Sequence, residues 1–150
     1  MGFQAHWVQL IMQCVTTVKY SFLINGKPCG SLTPSRGLRQ GDPLSSYLFL
    51  LCGEAFSALL DSRAAQNQLQ GITVCEGAPV IHHLLFFDDS MLFGKASVEE
   101  CVSIQSVLID YEKASGQKVN YAKSNIVFSK GVPESVCSQL ASILGVSIVE

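Results

Sequence analysis

The chain has 150 residues, 48% hydrophobic and 15% charged, a balance that excludes intrinsic disorder and gives enough length for a packed core. A net charge of −2 and a pI near 5.9 exclude a self-sufficient basic surface for nucleic acid, while still allowing a site that gathers acids around metal ions. A mean hydropathy of +0.32 implies either a core large for the length or an apolar face that belongs against a partner.

Apolar residues at Trp7, Leu10, Ile11, Cys14, Val15 and Val18 share one helical face, so residues 7–18 are predicted to form a helix, with Trp7 packing it onto a sheet. Residues 20–24 read as a strand. Asn25-Gly26 follows, two residues that tolerate positive φ and mark a hairpin, with the return strand placed at residues 30–33. Residues 34–41 form a loop with two arginines and two glycines. Asp42 caps the next helix and Pro43 occupies its first position. Residues 44–60 are apolar nearly all round, which predicts a helix buried on most sides.

A polar connection spans residues 66–71, then a short strand 72–74, a turn 76–79 and an apolar strand 80–86. Asp88-Asp89-Ser90 is read as a tight acidic turn, with Met91-Leu92-Phe93 returning and Gly94 ending the hairpin. Ser97 and Glu100 have capping-box spacing, with Glu100 expected to reach back to the Ser97 amide. The helix they open should run to Ser115 and stop at Gly116. Residues 125–128 read as a strand, and a last helix opens at Pro133-Glu134 and ends at Gly145. The order predicts one α+β domain over 1–150, of antiparallel β hairpins packed with helices and without βαβ units.

Six cysteines, none at C-x-x-C spacing, read as reduced core thiols of an intracellular chain, in nucleus or cytoplasm. The N-terminal residues lack the basic start of a secretory signal, and no apolar run is expected to reach the roughly 18 residues of a membrane span. No membrane partner is therefore expected. Phe49, Phe56, Phe93 and Phe128 read as core. Of His82 and His83, one should face the core and one solvent, with no catalytic role for either.

Two segments carry candidate chemistry. A doubled Asp in a turn is ordinarily a solvated turn. Here apolar strands on both sides aim Asp88 and Asp89 at one point, where like charges repel unless a cation compensates them. Mg²⁺ takes carboxylate oxygens. The second segment, Arg36-Gly37-Leu38-Arg39-Gln40-Gly41-Asp42, is either an ordinary basic loop or a glycine-permitted approach to a nucleotide with arginines near phosphates.

Together the segments resemble the reverse transcriptases of LINE-type (non-LTR) retrotransposons, most closely those abundant in plant genomes. Ser35-Arg36-Gly37-Leu38-Arg39-Gln40-Gly41-Asp42-Pro43-Leu44-Ser45 resembles their motif B, and Leu84-Leu85-Phe86-Phe87-Asp88-Asp89-Ser90 their motif C. Tyr111 to Asn120, then Lys123-Ser124, resembles the motif D region. The resemblance runs in family order over nearly the whole chain. It implies part of a right-hand polymerase palm and RNA-directed DNA synthesis by two-metal-ion nucleotidyl transfer, with Mg²⁺ or Mn²⁺ as cofactor. RNA template, DNA primer and dNTPs are the implied partners of the parent enzyme.

By match, Asp88 is implied as the main metal ligand of the hairpin, with Asp89 supporting and Phe86 anchoring the turn. Arg39, Gln40 and Gly41 are implied near template, nucleotide or phosphate. Lys118 or Lys123 is implied near the triphosphate, with no choice between them. Three departures accompany the resemblance. The family's further metal-binding Asp is expected on a strand upstream of Met1. Phe87 stands where the family has a small residue beneath the primer end, and Ser46 stands where it has Pro. Fingers and thumb are expected to lie outside these residues. The chain is therefore expected to be a palm fragment, inactive alone, or completed by another polypeptide. The competing expectation is a non-enzymatic remnant or a protein that binds a partner through an uncovered apolar face.

Overall fold

The computed structural model describes residues 2–35 and 41–149. The chain divides into two units, Met1–Phe49 and Leu50–Glu150. Helices and small sheets are mixed, an α+β arrangement as expected.

In the first unit, α1 (Ala5–Thr16) begins slightly before the apolar stripe and ends before Val18. The hydroxyls of Thr16 and Thr17 donate back to the carbonyls of Met12 and Gln13 at 2.7 and 2.6 Å, and Gln13 also accepts from the Thr17 N–H that closes the helix. Trp7 does not behave as expected. Its ring stacks on Phe3 with centroids 4.3 Å apart, and α1 buries no residue. The hairpin of β1 (Tyr20–Ile24) and β2 (Lys27–Leu32) closes through Asn25 and Gly26, both with positive φ. Two positive φ values give the turn a twist that matches the strands. The return strand therefore starts directly after Gly26, earlier than residue 30.

α2 (Pro43–Ala65) opens as its sequence requires. The Leu44 N–H donates to Asp42 Oδ1 at 2.9 Å, and Ser45 Oγ donates to the Asp42 carbonyl at 2.7 Å. Its surroundings differ from expectation. Only Phe56 and Leu60 are buried, while Tyr47 and Leu50 are exposed, because α2 has an apolar circumference and little packed against it. By length and composition α2 is also long and apolar enough to cross a membrane, which corrects the expectation that no segment is. The charges of Glu54, Asp61 and Arg63 lie within it, and its buried residues face the protein core.

That core joins Phe56 and Leu60 of α2, Leu69 of the following loop and Val107 of α3 (Val98–Ser115). Tyr111 tilts against Phe56 with centroids 4.6 Å apart. Leu60, Val107 and Leu140 are fully enclosed, each contributing about 1.5–3 kcal/mol from removal of apolar surface from water. Ser97 caps α3 by accepting from the Glu100 N–H at 3.3 Å, and Gly116 ends it at φ +74°.

The last elements depart from the all-hairpin expectation. β5 (Asn125–Ile126) and β6 (Ser147–Ile148) pair in parallel, joined through α4 (Glu134–Leu144). Parallel partners need a crossover, and the helix supplies it. Strand β6 was not foreseen, and β5 is shorter than residues 125–128. Gly145, at φ +70°, ends α4 as expected.

Candidate active-site hairpin

β3 (His83–Phe86) and β4 (Asp89–Leu92) pair antiparallel, Phe86 opposite Asp89 and His83 opposite Leu92. The turn is therefore Phe87-Asp88, not Asp88-Asp89-Ser90. Asp89 and Ser90 already belong to the returning strand. The shift follows from register: a two-residue turn closes directly onto the Phe86–Asp89 pair. Phe87 pays for it with φ +52°, a conformation that costs a side-chain-bearing residue about 1–2 kcal/mol.

Asp88 and Asp89 are both exposed, and neither carboxylate has a hydrogen-bond or ion-pair partner among the described residues. Phe86 and Phe87 flank them, 73% and 80% exposed, in an edge-to-face contact with centroids 5.3 Å apart. The tip thus joins two unneutralised carboxylates to two solvent-facing rings. Among the described residues no group of three His, Cys, Asp or Glu side chains is disposed to hold a metal. The pair supplies two hard oxygen donors suited to Mg²⁺ or Mn²⁺, and a complete site needs further ligands.

The base of the hairpin is tied more firmly than its tip. The Phe93 N–H donates to the His82 carbonyl at 2.8 Å, extending the ladder by one step. Ile72 and Ile81 exchange backbone hydrogen bonds of 2.9 and 2.8 Å, so the expected strand 72–74 is a single bridge. Gly71 makes that bridge possible: a Cβ there would lie 2.5 Å from the Ile81 carbonyl oxygen. His83 Nε2 shares a 2.7 Å hydrogen bond with Ser57 Oγ of α2. Both histidines are half-buried, so the expected split between core and solvent does not occur. Glu100 does not reach back to the Ser97 amide. Its carboxylate accepts from the Lys95 N–H at 2.9 Å instead, because the chain leaving β4 passes closer.

The other candidates lie elsewhere. Arg39 and Gln40 fall outside the described residues. Gly41, at φ +83°, directly precedes the Asp42 cap. Lys118 is engaged: its Nζ lies 2.7 Å from Glu112 Oε2. The Val119 N–H donates to the other Glu112 oxygen at 2.8 Å. These two interactions, the Lys118 hydrogen bond first, hold the Glu112 carboxyl below its ordinary pKa. Lys123 is exposed in the following turn and has no ion-pair partner among the described residues. No hydrogen bond or ion pair among the described residues links this loop to the hairpin tip.

Sequence reasoning missed the contacts of His83 with Ser57, of Glu100 with the Lys95 N–H and of Gly71 with Ile81. The available signal was that His83 and Gly94 bracket the hairpin in sequence, but their partners lie on two different helices.

The sequence matches the family described as reverse transcriptase (RNA-dependent DNA polymerase) over residues 1–148. The chain belongs to the reverse transcriptase family. Its parentage is that of an RNA-directed DNA polymerase. An uncharacterized mitochondrial protein of Arabidopsis thaliana is 42% identical over 113 residues, 75% of this chain and 91% of that protein. A retrovirus-related Pol polyprotein from a type-2 retrotransposable element of Drosophila melanogaster is 32% identical over 107 residues. That match covers 71% of this reverse transcriptase chain and 9% of the polyprotein. A retrotransposon relative agrees with the LINE-type resemblance of the motifs.

Proposed function

We propose that residues 1–150 are part of a reverse transcriptase palm, and that Asp88 and Asp89 are its metal-binding carboxylates from the motif C hairpin. The observation that carries this reading is the exposed tip with two adjacent carboxylates and, among the described residues, no ion-pair partner for either. Such a pair is stabilised by a divalent cation and destabilised without one. Asp88 and Asp89 would hold Mg²⁺ or Mn²⁺, which would supply charge neutralisation at the triphosphate and acidify the primer hydroxyl. Asp88 holds the main ligand position and Asp89 supports it. Phe87 lies beneath the primer end and restricts the space there. Gln40 and Gly41 are the residues assigned to template and nucleotide, and Arg39 the one assigned to a phosphate. Lys123, which has no ion-pair partner among the described residues, is the better candidate for the triphosphate than Lys118, which pairs with Glu112.

The same reading makes these residues inactive by themselves, since the two carboxylates do not complete a two-metal centre and no further ligand group joins them among the described residues. The parent reaction takes RNA template, DNA primer and dNTPs. Primer extension on an RNA template, with Mg²⁺ and with Mn²⁺, tests this on purified chain that melts cooperatively. No extension is expected. Extension abolished by Asp88→Asn would refute inactivity and support the ligand assignment; extension untouched by Asp88→Asn would refute the assignment.

A second reading is a chain that binds a complementing polypeptide through apolar surface, without catalysis of its own. The exposed Leu84, Phe86, Phe87 and Met91 of the hairpin favour it.

A further inference from the structure

The hairpin that carries Asp88 and Asp89 has strands of four residues, and Leu84, Leu85, Phe86, Phe87 and Met91 are exposed. A two-stranded hairpin alone is marginally stable in water. Whatever fixes the direction of its tip must therefore act at its base. Two polar links sit there, one on each strand. His83, the first residue of β3, is joined through Nε2 to Ser57 Oγ of α2 at 2.7 Å. Just beyond β4, the Lys95 N–H donates to Glu100 Oε2 of α3 at 2.9 Å. Between them, Leu92 packs on the core cluster.

Both links are sheltered and specific. Glu100 is only 5% exposed. Gly94 leaves the space its carboxylate occupies, since a Cβ at that position would lie 2.7 Å from Glu100 Oε2. His83 Nδ1 is buried without a partner, so among the described residues Ser57 makes the ring's one hydrogen bond. Losing the Ser57 hydroxyl removes the one hydrogen bond that orients the imidazole among the described residues.

We infer that His83 with Ser57, and Glu100 with Gly94, are positioning residues that set the direction of the Asp88–Asp89 tip; their catalytic meaning rests on the reading of those aspartates as metal ligands. The leverage is large. Asp88 lies five residues beyond His83, about 17 Å at roughly 3.4 Å per residue. A tilt of about 5° at the base moves the tip by about 1.5 Å, and a misplacement of about 1 Å can cost a reaction on the order of 100-fold.

The test is NMR on the full 150-residue chain. Residual dipolar couplings compare the hairpin with α3, amide exchange measures opening of β3 and β4, and Mn²⁺ broadening reports the tip. In the wild type, hairpin and α3 should share one alignment. Ser57→Ala and Gly94→Ala should each lose that common alignment and speed hairpin amide exchange by up to about tenfold, the worth of one net hydrogen bond. The α3 couplings should not change. His83→Gln, which keeps a polar group near the Nε2 position, should restore the alignment that His83→Ala loses, and Glu100→Gln, which keeps an acceptor, should lose less than Gly94→Ala. An unchanged hairpin alignment in Ser57→Ala and Gly94→Ala overturns the inference. So does a loss shared equally by hairpin and α3, which is the mark of a purely structural role. The ligand reading fails separately, if Mn²⁺ broadening does not centre on residues 86–91 or survives Asp88→Asn; the alignment data then still decide whether these residues orient the hairpin.

Discussion

Replacing Gly71 with Ala should be among the most damaging changes of one methyl group in this chain. Gly71 adopts φ +66°, which costs a residue with a Cβ about 1–2 kcal/mol. The added Cβ would also sit 2.5 Å from the Ile81 carbonyl oxygen and 2.9 Å from atoms of His82 and Val80. The nearest of these is backbone and cannot rotate away. Relief requires parting residues 71–72 from 81, which weakens the two hydrogen bonds of the Ile72–Ile81 bridge, each with a net value of about 0.5–1.5 kcal/mol. The expected loss is about 2–4 kcal/mol. Gly77 is the internal control: its φ is +79°, yet nothing lies within 4 Å of a Cβ there. Gly77→Ala should therefore cost only the conformational part, about 1–2 kcal/mol. Urea unfolding of both variants at one pH measures the difference. Equal losses would refute the argument that close approach to Ile81, rather than backbone conformation alone, demands glycine at 71.

Leu60→Ala removes a fully enclosed side chain and should cost about 2–5 kcal/mol; Leu50→Ala, at an exposed position of the same helix, should cost under about 0.5 kcal/mol by the same urea assay. Iodoacetamide labelling read by mass spectrometry should modify exposed Cys14, Cys29 and Cys75 in the native chain and spare Cys101 until it unfolds. Burial, then the neighbouring Glu100 charge, raises the Cys101 thiol pKa and so lowers its thiolate fraction further. The depressed carboxyl of Glu112 gives a pH dependence of known sign. Its contribution is present above the ordinary glutamate pKa and is lost as pH falls through the lower folded value. Melting temperatures from pH 7 to 3 should therefore fall less steeply in Glu112→Gln than in the wild type; identical slopes would count against the Lys118–Glu112–Val119 arrangement.

Much of the local structure was legible because its determinants are local. Asn25-Gly26 fixed a hairpin, Asp42-Pro43 a helix start, Ser97 a cap, and Gly116 and Gly145 two helix ends, each through the dihedral angles or hydrogen bonds of adjacent residues. The carboxylate hairpin was legible as an apolar pair of strands around two aspartates, but its turn was misplaced. Whether Phe87 accepts positive φ is decided by cross-strand register, not by the propensity of Phe. Trp7 and the circumference of α2 misled for a related reason: apolar periodicity says which face can be buried, not whether anything is there to bury it.

The sequence by itself determined the family, the α+β class, the four helices among the described residues and the hairpin that carries the two aspartates. These follow from short-range spacing and from motifs that stay contiguous along the chain. Tertiary structure alone decided that β5 and β6 pair in parallel, that Lys118 pairs with Glu112, and that the hairpin is hydrogen-bonded at its base to Ser57 and Glu100. Each of those depends on groups brought within about 3 Å from different elements, where hydrogen-bond distance and direction, rather than residue type, determine the partner.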